Sequence, residues 1–255
     1  MIDTVARHGF GAIAPWRREV EGGDVVAIAR QIREAGLSVS GYCRSSYLPA
    51  EGIAERQARF EENRRALADA ATLEAKCFVI VAGGLPGASR DIDGARAQVE
   101  EGLVRLLAEA RALGVPVAIE PLHPMYAADR CCVNTLAQAL DLCARLDPDH
   151  EGGIGVALDA YHVWWDPDLV AGIGRAGCER RLDAFHICDW LVPTTDLLMD
   201  RGMMGDGVID LAAMRRNVGA AGFAGYAEIE IFSSRWWSID NEETLRVCVD
   251  RLRTL

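Results

Sequence analysis

The stretch GVALDAYHVWWDP (residues 155–167) starts as a buried strand and ends in polar chemistry. Its first four residues are apolar or glycine, as in a strand that is covered on both faces of a sheet. Asp159 ends this run, and His162 and the pair Trp164-Trp165 follow shortly after. A carboxylate and an imidazole at the end of a buried strand indicate a functional site at the edge where that strand stops.

Apolar runs of the same kind recur along the chain and alternate with longer stretches of helical periodicity. The predicted strands cover residues 11–16, 38–43, 77–83, 116–120, 155–159, 183–189 and 226–232. The predicted helices cover residues 24–35, 51–74, 94–113, 133–145, 210–221 and 241–253. This alternation is typical of a parallel sheet that is covered by helices. No linker or change in composition divides the chain, so we expect one domain over residues 1–255.

Four successive predicted strands carry a polar residue at their C-terminal end. These residues are Glu120, Asp159, His186 and Glu230. In a (β/α)8 barrel the C-terminal ends of the strands converge on one mouth, where the active sites of this architecture lie. An open sheet would instead spread the four residues along an edge. We therefore predict an α/β fold of the (β/α)8 TIM barrel type.

The sequence shows seven strands where a barrel needs eight. The chain opens with IDTVARHGF (residues 2–10), which is typical of a helix, and no strand precedes it. Either the first strand is absent from this sequence or the barrel is incomplete. A gap of this kind would leave strand edges unpaired, and a homo-oligomer is one way of covering them.

Composition excludes several classes of partner and mechanism. The 255 residues include 38 acidic and 27 basic side chains, a net charge of −11, which argues against nucleic acid and anionic membranes as partners. Lys76 is the only lysine, so Schiff-base and pyridoxal chemistry are unfavourable. The eight cysteines form no Cys-x-x-Cys pair, and no apolar run reaches the roughly 18 residues of a membrane span. We expect a cytoplasmic protein with reduced thiols.

The polar strand ends predict a metal site when they are taken together. Alone, each carboxylate could cap a helix or pair with an arginine, and His186 could be a hydrogen-bonded core histidine. Three carboxylates in one mouth repel each other, however, and burying unpaired charges costs several kcal/mol each. One divalent ion removes that repulsion. Three carboxylates and a neutral imidazole suit Mn²⁺, Mg²⁺, Co²⁺ or Zn²⁺, with positions left open for substrate.

Three motifs carry a resemblance to a known family. LDAYH (158–162), GDGVIDL (205–211) and GFAGYAEIE (222–230) resemble motifs of the sugar phosphate isomerase/epimerase superfamily. These are xylose isomerase-like TIM barrels, which include ketose 3-epimerases, hydroxypyruvate isomerase and inosose dehydratase. The resemblance extends from about residue 7 to the C-terminus. It implies that the metal ligands are Glu120, Asp159, His186 and Glu230, with Glu228 one step deeper as a supporting residue.

Candidate substrate contacts follow partly from this resemblance and partly from position. His162 matches a histidine that touches substrate hydroxyls, and Arg201 resembles an arginine that binds substrate oxygens. His123 lies just after the strand that ends at residue 120, and Trp16 and Trp165 also follow strand ends. We expect the histidine to contact a small carbohydrate and the two indoles to wall it. Packing in the core is the alternative role for the tryptophans.

The resemblance implies proton transfer next to a carbonyl of a small sugar, keto-sugar or polyol. A divalent metal would stabilise the enediolate, while Glu120 and Glu230, on opposite sides of the mouth, remove and return the proton. This predicts a metal-dependent isomerase or epimerase, in EC class 5. A class 4 dehydratase or lyase of a keto-sugar or cyclitol begins with the same enolate and stays open, as does a non-catalytic sugar-binding barrel.

Two relatives on the same barrel fit the sequence poorly. A two-metal hydride-shift isomerase needs a lysine near the substrate, and Lys76 lies at the opposite end of its strand. Apurinic endonucleases need additional histidines on the early strands, and residues 38–43 and 77–83 contain none. Whether the substrate is phosphorylated stays open.

Overall fold

Strands and helices alternate through the whole computed structural model, which describes residues 1–255. The strands are β1 (Ala12–Ile13), β2 (Ser38–Val39), β3 (Tyr42–Cys43), β4 (Phe78–Ile80), β5 (Val117–Ile119), β6 (Ile154–Asp159), β7 (Leu182–Ile187), β8 (Asp189–Trp190), β9 (Arg201–Gly202) and β10 (Ala227–Ile229). The helices are α1 (Ile2–Arg7), α2 (Arg17–Val20), α3 (Val25–Glu34), α4 (Ile53–Thr72), α5 (Ile92–Leu113), α6 (Leu136–Leu146), α7 (Ala160–Val163), α8 (Leu169–Cys178), α9 (Leu211–Ala220), α10 (Ser234–Trp237) and α11 (Asn241–Leu252), with a 3-10 turn at Pro124–Tyr126. Each of the seven predicted strand regions contains a strand.

The parallel strands lie side by side in one curved arc. Six of them are hydrogen-bonded in the order β10-β7-β6-β5-β4-β3, and β1 pairs in parallel with β2. A parallel bridge between Trp16 and Cys43 joins the two groups. The arc curls strongly, because a Cβ atom at Gly41, beside β3, would lie 3.2 Å from Oε1 of Glu228 on β10. Side chains from the two ends of the strand order therefore meet inside the arc.

The central strands form the floor of the core, and the helices cover them. Every residue of β4, β5 and β6 is buried, as the continuous apolar runs predict. The helix α5 shows how the sequence sets its limits. Its first turn is capped by Asp91, whose Oδ1 accepts the Gly94 N–H at 2.8 Å, and it ends at Gly114 in the left-handed conformation (φ 69°). No helix combines the length and apolarity that crossing a membrane demands.

The gap expected from the sequence lies between β1 and β10. These two strands stand at the ends of the strand order and are not hydrogen-bonded to each other. Both are only partly buried, whereas the strands between β3 and β6 are fully buried. The arc thus contains seven parallel strand regions, with one side open.

The structure differs from the predicted elements in three places. The predicted strand 38–43 is interrupted at Ser40-Gly41, and the predicted strand 183–189 ends at Ile187. The following residues, Asp189–Trp190, instead form an antiparallel ladder with Arg201–Gly202, so Arg201 lies in a short strand. The third difference is α8, a helix that the periodicity did not predict.

Candidate functional site

The polar residues that end successive strands meet at one rim of the arc. Glu120 directly follows β5, and Glu230 directly follows β10. Asp159 is the last residue of β6 and lies opposite His186 of β7 in the parallel ladder. One potential ligand atom from each of these four residues lies within 4.8 Å of the others. The register of the sheet, and not proximity along the chain, brings them together.

Local geometry at the end of β6 sets the path of the chain from Asp159 to His162. The Asp159 carboxylate accepts the N–H of Tyr161 at 2.8 Å and so caps the helical turn α7. Because the turn starts immediately after the strand, it carries His162 back over the rim. The helix-cap role considered for a carboxylate at a strand end is therefore present, and it uses only one oxygen of Asp159.

The donor set fits a single divalent ion. Carboxylate and imidazole ligands bind Zn²⁺ at about 2.0–2.2 Å, so ligand atoms around one tetrahedral ion stand about 3.4 Å apart. The four potential ligand atoms lie within 4.8 Å of one another. Their separations would have to shorten by up to about 1.4 Å for all four to bind one ion. Three oxygen donors and one nitrogen donor are also compatible with Mn²⁺ or Co²⁺. Glu120, Asp159 and His186 are 4 %, 0 % and 2 % exposed, so their charges need compensation.

Arg201 supplies one compensating charge from within the cluster. Its Nη1 donates to Oδ2 of Asp159 at 2.8 Å and to Oε2 of Glu230 at 3.0 Å. Its guanidinium also lies 4.5 Å from the ring centroid of Tyr161. The ion-pair role considered for these carboxylates is thus also present. One guanidinium cannot by itself neutralise all three carboxylates.

The two carboxylates on Arg201 differ strongly in acidity. Burial raises the pKa of Asp159, but Arg201, followed by His162 and His186, outweighs burial and lowers it to about 2. Burial also raises the pKa of Glu230, and the nearby Glu120 carboxylate raises it further. Arg201 lowers this pKa but does not outweigh them, so the pKa of Glu230 rises to about 8. The site therefore holds Asp159 as a firm anion and Glu230 as a group able to hold a proton.

His186 is held between two carboxylates. Its Nδ1 lies 3.0 Å from Oε1 of Glu120, and its Nε2 lies 3.7 Å from Oε2 of Glu228. Burial favours the neutral ring, but Glu228 and then Glu120 outweigh burial and raise the pKa of His186 well above its usual value. Glu228 approaches the ring from the side of β10 and Gly41, one layer below the rim.

His162 is a neutral histidine at the same rim. Burial dominates and lowers its pKa to about 3, although Asp159 opposes this. Its Nδ1 faces the N–H of His123 at 3.3 Å, and its Nε2 lies 3.1 Å from Nη2 of Arg201. A neutral imidazole accepts at only one nitrogen, so the other carries a hydrogen that it can donate.

The predicted substrate contacts divide into two groups. Trp16, His162 and Arg201 line the cavity that opens above the cluster, together with Glu120 and Glu230. His123 and Trp165 do not line it and pack one layer further out. The His123 ring stacks on Trp190 with centroids 5.2 Å apart and meets Trp165 edge-on at 5.6 Å.

A loop covers the cavity and is fastened by two tyrosines. The residues between β8 and β9 cross the mouth, and Leu198 lines the cavity. The hydroxyls of Tyr126 and Tyr161 both donate to the carbonyl oxygen of Leu197, at 2.6 and 2.9 Å. At the base of the loop, the Asp189 carboxylate accepts backbone N–H groups of residues 205, 207 and 209. We refer to residues 191–200 as the lid.

Two charged residues of the cavity were not predicted from the sequence. Arg44 and Arg130 line the cavity, and neither makes an ion pair with a carboxylate. Arg44 follows directly after β3 and so obeys the same strand-end rule as the four clustered residues. Applying that rule to basic residues would have found it. Arg130 lies on the loop after the 3-10 turn, and no sequence pattern marks it.

Comparison with protein families gives a match over nearly the whole chain. The model of the family described as xylose isomerase-like TIM barrel matches residues 2–255. The crystal structure of protein SMc04130 from Sinorhizobium meliloti 1021 is 54 % identical, covers 99 % of this chain and 91 % of its own, and superposes with a TM-score of 0.96.

More distant relatives have described activities or ligands. An inosose isomerase from Bacillus licheniformis is 28 % identical over 158 residues, which cover 59 % of this chain and 52 % of the relative. The chain therefore spans about half the length of this curated relative. The IOLI protein, solved with a zinc atom, is 18 % identical with a TM-score of 0.82 over 99 % of this chain and 90 % of its own. At that identity the likeness concerns the fold alone.

Proposed function

The chain belongs to the xylose isomerase-like TIM barrel family, and from this membership and the rim geometry we propose that it is a divalent-metal-dependent isomerase or epimerase of a small carbohydrate. The observation that carries the proposal is the cluster of Glu120, Asp159, His186 and Glu230 around one point. The predicted (β/α)8 barrel is confirmed as the fold, with the seven parallel strand regions described above.

The four clustered side chains would hold the metal. When bound, the ion would polarise a carbonyl and an adjacent hydroxyl of the substrate and stabilise the negative charge that develops there. The zinc atom in the IOLI protein, which shares the fold, supports a metal on this barrel. Cluster geometry and charge do not separate Zn²⁺ from Mn²⁺ or Co²⁺.

The chain's own groups would carry the proton. Glu120 and Glu230 follow β5 and β10, which lie at separate places in the arc, and both face the cavity. One carboxylate would take the proton from a carbon beside the carbonyl, and the other would return one from the opposite side or to the adjacent carbon. Return to the opposite face gives an epimer, and return to the adjacent carbon gives an isomer.

The remaining cavity residues would orient the substrate. Arg201 and His162 present N–H groups to the cavity and would donate to substrate oxygens, while Trp16 would pack against the carbon skeleton. The lid borders the cavity through Leu198 and would limit the access of water to an intermediate. Because inosose isomerases are among the relatives, ring ketones of cyclitols should be tested as substrates together with open-chain ketoses.

Metal analysis and solvent exchange test this proposal. Purified protein should contain about one divalent ion per chain, and the loaded protein should incorporate deuterium from D2O into one or more members of a panel of ketoses and inososes. Glu120→Gln and Glu230→Gln should each slow exchange by about 10²–10⁴-fold, the usual contribution of a general acid or base. Glu101→Gln, at an exposed position of α5 without an ion pair, is the matched control and should leave exchange unchanged.

Three outcomes would change the conclusion. A chain that binds no metal and exchanges no proton would be a binding barrel and not an enzyme. Exchange that is accompanied by net loss of water would assign a dehydratase. Equal rates in Glu120→Gln and in the control would remove Glu120 from the proton transfer.

A further inference from the structure

The charged residues that line the cavity are unusual for so acidic a chain. They comprise two carboxylates, Glu120 and Glu230, and three guanidiniums, Arg44, Arg130 and Arg201. The whole chain carries a net charge of −11, so a surplus of arginine at one concave place is a local feature and not a reflection of composition. Arg201 pairs with Asp159 and Glu230, whereas the other two arginines pair with no carboxylate.

Most other arginines of the chain are either paired or exposed. Among those without a carboxylate partner, only Arg44, Arg56, Arg105 and Arg130 are partly buried. Arg56 and Arg105 lie on the outer helices α4 and α5, and Arg105 donates to Oε1 of Gln57 at 2.9 Å. The Nε atom of Arg130 is buried and has no hydrogen-bond partner. A buried donor without an acceptor is costly, which indicates that this position is built to meet an acceptor.

Aromatic rings hold both guanidiniums without neutralising them. The guanidinium of Arg44 lies 5.0 Å from the ring centroid of Tyr47, and that of Arg130 lies 5.3 Å from the ring centroid of Tyr126. Such contacts position a planar cation while its N–H groups stay free to bind an anion. An ion pair would instead have consumed the charge.

The balance of charges in the cavity indicates what Arg44 and Arg130 bind. The three clustered carboxylates, when ionised, are balanced by a divalent metal and Arg201, so Arg44 and Arg130 remain as two uncompensated positive charges. Glu228 lies below the rim and does not line the cavity. We infer that Arg44 and Arg130 form an anion subsite, and that the substrate carries a phosphate or carboxylate group on the end that faces them.

This inference deepens the proposed function, on which it rests. It narrows the substrate from any small carbohydrate to an anionic keto-sugar, either a sugar phosphate or a sugar acid. Both groups present oxygens that arginine binds with two parallel hydrogen bonds. The geometry does not choose between the two anions, so the experiment must separate them.

Anion binding without turnover is the first test. Metal-loaded protein, the state in which Arg44 and Arg130 are uncompensated, is titrated with inorganic phosphate in a calorimeter, and the wild type should bind it. Arg44→Gln and Arg130→Gln should each weaken binding about tenfold or more, because each removes charge-assisted hydrogen bonds. Arg130→Lys keeps the charge and should lose less. Arg216→Gln, exposed on α9 and without an ion pair, is the matched control and should bind phosphate like the wild type.

Selectivity in exchange is the second test. D-fructose, D-fructose 6-phosphate and 5-keto-D-gluconate serve as neutral, phosphorylated and carboxylated probes for the metal-loaded protein. One of the anionic probes should exchange at least about tenfold more efficiently than the neutral one, and Arg130→Gln should reduce that ratio. A preference for the phosphate identifies a sugar phosphate, and a preference for the carboxylate identifies a sugar acid.

The outcomes separate this inference from the proposed function. The anion subsite is overturned if D-fructose exchanges as efficiently as both anions and if no phosphate binding depends on Arg44 or Arg130. The isomerase proposal then still stands. Arginine-dependent phosphate binding without exchange of any probe or panel member supports the subsite and overturns the isomerase proposal. If Arg44→Gln fails to fold by circular dichroism, Arg130→Gln and Arg130→Lys decide.

Discussion

The ion pair between Asp159 and Arg201 gives a quantitative test of the site that requires neither metal nor substrate. Asp159 is fully buried, and its Oδ2 lies 2.8 Å from Nη1 of Arg201. In Asp159→Asn the side-chain oxygen can still accept the Tyr161 N–H and cap α7, but an amide replaces the charge that faces Arg201. The substitution therefore isolates the ion pair from the helix cap.

Burial determines the expected size of the effect. Removing one partner of a buried ion pair costs about 3–5 kcal/mol, because it leaves an uncompensated charge. Glu230 still contacts Arg201 at 3.0 Å, so we expect the lower end of this range, about 3 kcal/mol. For a chain of this size that corresponds to a fall in Tm of about 6–12 °C. The measurement is thermal and urea unfolding in EDTA, followed by circular dichroism.

A surface pair of nearly the same length is the control. Asp141 lies 2.7 Å from Arg175, but its side chain is 58 % exposed, so Asp141→Asn should cost less than about 1 kcal/mol. The double variant Asp159→Asn/Arg201→Gln should recover part of the loss, with a coupling energy of about 2 kcal/mol. If Asp159→Asn costs no more than Asp141→Asn, the buried pair does not exist as described, and the charge argument for the site is wrong.

Three further predictions concern the metal, the sheet and the lid. Adding Mn²⁺ at about 100 times its Kd should stabilise the wild type by about 2.7 kcal/mol and raise Tm by about 5–10 °C, reversibly with EDTA, and an unchanged Tm would contradict the metal site. Burial raises the pKa of Asp183 on β7 to about 7, so the folded state holds its proton to higher pH than the unfolded state and loses stability as pH rises from about 4 to 7. Asp183→Asn should therefore gain on the order of 2 kcal/mol over the wild type at pH 8 but not at pH 3, as urea unfolding at both pH values would show. Tyr126→Phe removes one of the two hydroxyls that hold the Leu197 carbonyl, and the Leu198 amide should exchange its hydrogen about fivefold faster by NMR.

Most of the site could be predicted from the residues at the C-terminal ends of the strands. In a parallel sheet, residues at the C-terminal ends of strands share one rim whatever the length of the connections between them. Glu120, Asp159, His186 and Glu230 could therefore be placed near each other from strand positions alone. The same rule would have added Arg44, had it been applied to basic residues.

Contacts between helices explain why α8 was missed. Its sequence, LVAGIGRAGC, contains three glycines, which have a low helix propensity. A Cβ atom at Gly172 would lie 3.0 Å from Leu136, and one at Gly177 would lie 2.3 Å from the Ala221 carbonyl oxygen. These glycines let the helix approach its neighbours closely, which stabilises it through tertiary packing and not through local propensity.

The sequence by itself determined the alternation of strands and helices, the barrel class and the four residues at the rim, because these follow from periodicities of two and 3.6 and from the shared edge of parallel strands. Only the tertiary structure decided which loop side chains reach the cavity. His123 and Trp165 do not line it, while Arg130 and the lid residue Leu198 do. The direction of a loop side chain depends on backbone angles set by distant contacts, such as the two tyrosine hydroxyls on Leu197, and no local pattern encodes those contacts.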